Sequence, residues 1–287
     1  MPNIMPTHER IMPDSFPSYP SNFIRFLGTS GTRFIMLSQR RASGGIWFSY
    51  GGVNGVIDPG PGSLVHICKA DPALDPTSIN ALLLTHRHID HCNDLNALAE
   101  GMTLVKTGSP KGELLLTADS LEPGDSALMK YMERKIKHIH IHKDRLVTPL
   151  CGGAITAESV KHKHHGVQCY GLILRAAGFP SWGVISDTAP LDYFPERYRG
   201  CEIMIINTTM LQTRPQLDHL SLTDVSDMLR FMSPSLALIT HMGGQVLDYG
   251  AENISRSLST YRTKAIAAED GMTVSLDNQR LLRAVDL

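Results

Sequence analysis

The chain has 287 residues, a formal net charge of -1 and a 42% hydrophobic composition. A large buried core is therefore available, which excludes wholesale disorder. The near-zero charge excludes a general electrostatic pull toward nucleic acid or membrane, so any polyanion must be met by a local patch.

The first twenty residues, "MPNIMPTHERIMPDSFPSYP", carry five prolines and no signal-peptide run. They predict an extended arm ahead of one domain over 21–287. No apolar stretch reaches membrane-spanning length. Cys68, Cys92, Cys151, Cys169 and Cys201 have no paired spacing, the pattern of reduced thiols in a cytoplasmic protein.

In chain order, "FIRFLG" (23–28) predicts a first strand ending in the glycine turn "GTSG". "GIWFSY" and "GVID" predict a hairpin through "GGVNG", with Asn54-Gly55 as the turn signal; its second strand ends at Asp58. "INALLLT" reads as a strand buried on both faces. Asp94 then predicts the cap of a helix that turns Leu95, Leu98 and Ala99 inward and stops at Gly101. Between 102 and 165 the pattern is weaker. "ALMKYMERKIKHIHIHKDR" predicts a change from helix to strand near Lys137, with Ile139 and Ile141 inward and His138, His140 and His142 outward. "YGLILRAA", "WGVISD" and "EIMIIN" are three strands at close spacing. Ser221 predicts the cap of a helix whose Leu222, Val225, Met228, Leu229 and Met232 form an apolar stripe. "ALIT" (237–240) and "GMTVSL" are further strands, and Trp47 and Trp182 are expected in the core. Strands in both halves with helices between them predict one α/β domain of sheets stacked between helices.

Residues 81–91, "ALLLTHRHIDH", end a buried strand in three histidines and an aspartate. His86 and His88 are two apart, so in extended backbone they leave one face and can hold one metal ion. Asp90 and His91 follow where the chain turns into a helix and are free to face a second ion. Imidazole and carboxylate together suit zinc, manganese or iron.

These residues carry a resemblance. "THRHIDH" resembles the H-x-H-x-D-H signature of the metallo-β-lactamase superfamily. The family's other landmarks follow in order: Asp58 in "VIDPGPG", a histidine in "KHKHHG", Asp187 in "VISDTAP" and His241 in "ALITHMG". The resemblance implies a four-layer αββα sandwich of two mixed β-sheets flanked by helices. It implies two divalent ions, zinc first, with a bridging hydroxide as nucleophile. Carried over residue by residue, His86, His88 and His165 hold one ion, Asp90, His91 and His241 hold the other, and Asp187 bridges. His165 is chosen within "KHKHHG" because "HGVQCYG" is similar to the phosphodiesterase branch; His162 and His164 are then solvated. Asp58 is expected to orient a histidine or a turn.

His219, in "LDHLSLTDV", stands 22 positions before His241 (241 − 219) and ahead of a capped helix. In ribonuclease Z and related cyclic-phosphate phosphodiesterases a histidine at this place serves the phosphoryl oxygens or the leaving group. His219, with Asp90 for the proton, is thus the implied catalytic residue. Ribonuclease Z often carries a basic arm between the third histidine and the bridging aspartate. Here that interval is 22 residues (187 − 165), nearly filled by two strands. The expected substrate is therefore a small or cyclic phosphodiester. A tRNA 3′-end endonuclease is the alternative, followed by a thioester or lactone hydrolase and by a binding protein without turnover. The run 130–145, rich in Lys and Arg, is read as a solvated face. Resemblance also implies a homodimer.

Overall fold

In a computed structural model, residues 19–104, 109–277 and 281–282 are described; residues 1–18 of the expected arm lie outside them. Where the arm meets the domain, Tyr19 stacks on Phe23 and donates its hydroxyl to the Pro72 carbonyl at 2.9 Å.

The strands, in chain order, are β1 (Phe23–Phe26), β2 (Ile46–Tyr50), β3 (Val53–Ile57), β4 (Ala81–Leu83), β5 (Glu113–Leu116), β6 (His138–Ile141), β7 (Val147–Leu150), β8 (Ile155–His164), β9 (Val167–Arg175), β10 (Trp182–Ile185), β11 (Ile203–Asn207), β12 (Leu236–Thr240), β13 (Lys264–Ala267), β14 (Thr273–Ser275) and β15 (Leu281–Leu282). They form an eight-stranded sheet, β15-β14-β1-β2-β3-β4-β5-β6, and a seven-stranded sheet, β13-β12-β11-β10-β9-β8-β7. The helices are α1 (Thr32–Ser38), α2 (Ser63–Cys68), α3 (Ile89–Cys92), α4 (Leu95–Thr103), α5 (Phe194–Arg197), α6 (Leu222–Met232), α7 (Gly244–Tyr249) and α8 (Ala251–Leu258).

Three apolar clusters define four layers. Phe48, Tyr50, Leu83, Leu172, Trp182, Ile205 and Leu238 fill the space between the sheets. Leu82 and Leu114 face the other way, onto Ile67 of α2 and Leu95 and Leu98 of α4. Ile206 and Ile239 likewise face Phe194 of α5, Val225 and Leu229 of α6 and Ile254 of α8. Adjacent residues thus enter different clusters, as the two-residue period of a strand requires. This is the expected αββα sandwich. Each fully buried Leu, Ile or Val contributes roughly 1.5–3 kcal/mol, so the three clusters dominate the fold's stability.

Local details differ from expectation in informative ways. The β2–β3 hairpin turns at Gly51-Gly52, with φ of 58° and 78°, while Asn54 and Gly55 lie inside β3. Asp94 makes no side-chain cap of α4; its Oδ2 accepts the N–H groups of Gly62 and Leu64 at 3.1 and 3.0 Å and so caps α2. The α4 helix continues past Gly101 to Thr103. Ahead of β6 there is a single 3₁₀ turn over Met132–Arg134 rather than a longer helix. Ser221 closes a capping box with Asp224 as expected. His142, expected outside, is buried: Nδ1 lies 2.8 Å from Ser159 Oγ, Nε2 lies 3.1 Å from the Leu84 carbonyl, and its ring stacks on Tyr170.

Candidate metal centre

The sheets bring the expected ligands to one edge. β3, β4, β5 and β6 are parallel neighbours, and so are β10, β11, β12 and β13. Parallel strands share an exit edge, so the residues after Ile57, Leu83, Ile185 and Thr240 emerge together. β9 is antiparallel to both β10 and β8, which returns the end of β8 to that same edge.

Among the described residues the ligand atoms fall into four groups, His164 with His165 and His219 and Asp58 with His86 and His91 among them, and the other two flank Asp187. In the first of these two, His88 Nδ1 lies 3.2 Å from His86 Nε2 and 3.1 Å from His164 Nε2. In the second, His91 Nε2 lies 3.1 Å from His241 Nε2, with Asp90 Oδ2 3.9 and 3.5 Å from those two atoms. Asp187 sits between the groups, its Oδ2 3.6 Å from both His164 Nε2 and His91 Nε2. The ring that meets His86 and His88 is therefore that of His164, whereas the resemblance had pointed to His165. The reason lies in β8, whose inward side chains alternate at its end, so that His162 and His164 are buried and Lys161 and Lys163 exposed. His165 lies past the strand, exposed, with a φ of 40°. His162 is likewise no solvated residue; it is buried with Nε2 3.1 Å from the Tyr198 hydroxyl.

Whether a cation suits these groups follows from where the remaining protons go. Thr85 Oγ1 gives its single proton to Asp58 Oδ2 at 2.7 Å, so at 3.1 Å His86 Nδ1 must be the donor to Thr85. His164 Nδ1 donates to the Asp218 carbonyl and His91 Nδ1 to Asp58 Oδ2, both at 2.9 Å. The nitrogens left over, Nε2 of His86, His164 and His91, carry lone pairs or an extra proton, and they converge. Lone pairs facing each other at 3.1–3.2 Å repel unless a cation lies among them. The separations also approach the roughly 3.3–3.4 Å edges of a tetrahedron built on zinc–nitrogen bonds of about 2.0–2.1 Å. The donor set fits divalent metal ions. Asp58, at the end of β3, is the orienting carboxylate for His91, and it also accepts the Thr85 N–H at 2.7 Å.

Electrostatics sort the groups further. Burial pushes the His86 imidazole well below its ordinary value, with His91 adding to the effect. Burial lowers His88 and His164 to about 4 each, so these rings are neutral at pH 7. His91 is shifted well upward: burial opposes the shift, but the Asp90, Asp187 and Asp58 carboxylates outweigh it. Asp90 and Asp187 are held well below the usual carboxylate range, against burial, by neighbouring imidazoles.

Supporting residues complete the centre. Asn207, at the end of β11, donates to Asp187 Oδ1 at 2.8 Å, and His241 Nδ1 lies 3.2 Å from the same oxygen. Thr209 Oγ1 stands 3.3 Å from both His219 Nδ1 and His241 Nδ1. His219 is half-buried, its Nδ1 3.7 Å from Asp187 Oδ2 and its ring centroid 4.9 Å from that of His164. The glycine turn after β1 is also here: Ser30 bridges Met242, and a Cβ on Gly31 would lie 2.0 Å from the His241 carbonyl. Asn207, Thr209 and Asp218 carried no sequence prediction, although Asn207 shared a signal with Asp58, Asp187 and His241: a polar residue closing an apolar strand.

Residues 54–242 match the beta-lactamase superfamily domain. The chain belongs to the β-lactamase superfamily. An uncharacterized protein of Methanocaldococcus jannaschii is 27% identical over 266 residues, spanning 89% of this chain and 95% of that one. Ribonuclease Z of Methanopyrus kandleri is 23% identical over 282 residues, 88% of this chain and 96% of its own. The metallo-β-lactamase fold protein YhfI of Bacillus subtilis superposes with a TM-score of 0.70 at 18% identity, covering 88% of this chain and 98% of that protein. Within this superfamily the match ends at Met242, immediately after His241, and so spans both ligand groups.

Proposed function

We propose that this β-lactamase-superfamily hydrolase is a dinuclear phosphodiesterase acting on small or cyclic phosphodiesters. His86, His88 and His164 would hold one ion and Asp90, His91 and His241 the other, with Asp187 placed to serve both. Two divalent ions in such a site supply a water-derived nucleophile at neutral pH and draw charge from the phosphoryl oxygens. The observation that carries the phosphodiester reading is His219. It stands outside the two groups that flank Asp187, clusters with His164 and His165, and has Thr209 Oγ1 3.3 Å from its Nδ1. A phosphodiester leaves as an alkoxide that needs a proton, and a positioned imidazole meets that need. Burial, with His241 and His165, lowers the His219 pKa against the pull of Asp187. Asp90 is assigned to metal binding alone, because a carboxyl held so far below its usual range is a poor proton carrier.

A small substrate is favoured because β9 and β10 pair directly, with no arm between His164 and Asp187. The ribonuclease Z relative supports cleavage of a precursor tRNA end as the second reading. Five free cysteines support a reducing, cytoplasmic compartment, and no helix among the described residues is long and apolar enough to cross a membrane. Phe34 and Leu37 of α1, 75% and 74% exposed, lie near α3, where Ile89 is 59% exposed; this apolar surface supports a homodimer. Protein with defined metal loading is to be offered bis-nitrophenyl phosphate, a cyclic nucleotide, precursor tRNA, a thioester and a lactone. Turnover of the first two is expected; turnover of only the thioester or lactone contradicts the proposal.

A further inference from the structure

His165 stands outside the two groups that flank Asp187, and its ring forms a third cluster with those of His164 and His219. His165 and Gly166 form the two-residue turn between β8 and β9, with φ of 40° and 75°. Asn-Gly or Gly-Gly accepts such a turn easily, whereas a histidine at its first position is strained, and residues held this way cluster at functional sites. Asp218 holds it in place. Its Oδ2 accepts the His165 N–H at 2.9 Å, its carbonyl accepts His164 Nδ1–H at 2.9 Å, and its Oδ1 lies 3.3 Å from Lys163 Nζ. Asp218 also directly precedes His219, so one residue sets a ligand histidine, the strained turn and the His219 loop. The exposed His165 ring then stands 4.4 Å from the His164 ring and 5.2 Å from the His219 ring, centroid to centroid.

We infer that His165 is a substrate-contacting residue, an imidazole donor to a non-bridging oxygen of a phosphodiester whose leaving oxygen faces the neighbouring His219. The inference rests on the phosphodiester reading above. The Asp218 carboxylate is bonded to the His165 N–H and faces Lys163, which offsets its charge. A lactone or thioester presents one carbonyl oxygen, whereas a phosphodiester presents a further anionic non-bridging oxygen, which a second donor beside the leaving-group imidazole matches.

His165→Gly is the direct test, because glycine adopts the turn without strain and removes only the ring. Metal content, bis-nitrophenyl phosphate kinetics and the Kd of inorganic phosphate by calorimetry are compared with the wild type. Unchanged metal content is expected, with KM and phosphate Kd raised roughly tenfold or more and kcat changed less. His165→Asn, which keeps a donor and tolerates the turn, is expected to recover part of the loss. Unchanged KM and phosphate Kd overturn the inference and leave His165 as a turn residue. Loss of a metal ion from His165→Gly also overturns it and makes His165 a ligand. If the phosphodiester reading itself fails, the wild type neither cleaves bis-nitrophenyl phosphate nor binds phosphate, a result visible before any variant is made.

Discussion

Asp187 Oδ2 stands 3.6 Å from a nitrogen of each ligand group, and Asn207 fixes its other oxygen. On the proposed dinuclear reading, removing it would take an anionic ligand from both ions at once. Asp187→Ala is expected to lose most bound metal and most activity together, read by elemental analysis and by turnover; two ions per chain in that variant contradict the shared role. His219→Ala is different. It should keep its metal while kcat falls about 10²- to 10⁴-fold, the usual contribution of a general acid or base; a full kcat would remove His219 from the chemistry. His91 sets a pH dependence. Its raised pKa favours the imidazolium in the metal-free protein, and a metal ion has to displace that proton. Metal affinity should rise with pH, with proton release measurable by calorimetry in buffers of different ionisation enthalpy. A flat profile contradicts the proton count at His91.

Among the elements, α6 shows how a cap can serve a site. Ser221 and Asp224 close the N-terminus of α6, two residues after His219. Ser221→Ala is expected to cost about 1 kcal/mol in urea unfolding and to raise the mobility of the His219 loop; no change in the urea midpoint contradicts this. The strands that build the centre were legible because doubly buried parallel strands are written as continuous apolar runs: "ALLL" leads through Thr85 into His86, "IMIIN" ends in Asn207 and "ALIT" leads into His241. β8 was not legible. Its inward positions near the site are histidines, so a two-residue period counted on apolar residues breaks off there, and with it the choice between His164 and His165. The glycine hairpin and Asp94 were misread for a related reason: Asn54-Gly55 and Asp94 carry strong local signals, but packing decided which residue turned the chain and which helix was capped.

For the whole molecule, acid stability follows from buried neutral imidazoles, the lowered ligand histidines and two further rings, His142 and His162, that are not in the ligand groups. Burial lowers His142 to about 4 and His162 to about 3. In the unfolded chain both titrate near about 6.5, so the unfolded state takes up protons first as pH falls. Their contribution is complete above about pH 6.5 and is lost as pH drops toward 4 and 3. His91, with its pKa raised, works in the opposite direction and only on the alkaline side. Metal-free protein should show a urea midpoint that falls between pH 6.5 and 4; a constant midpoint over that range contradicts the neutral burial of these rings. The chain as a whole is two sheets whose parallel strands deliver ligand side chains to one edge, the place of the proposed cation pair. Anomalous scattering at the zinc edge, from crystals of zinc-loaded protein, tests this most directly. The expected result is two peaks about 3.5–4 Å apart, one bound by His86, His88 and His164, the other by Asp90, His91 and His241, with Asp187 touching both. A single peak, or a peak bound by His165 in place of His164, would contradict it.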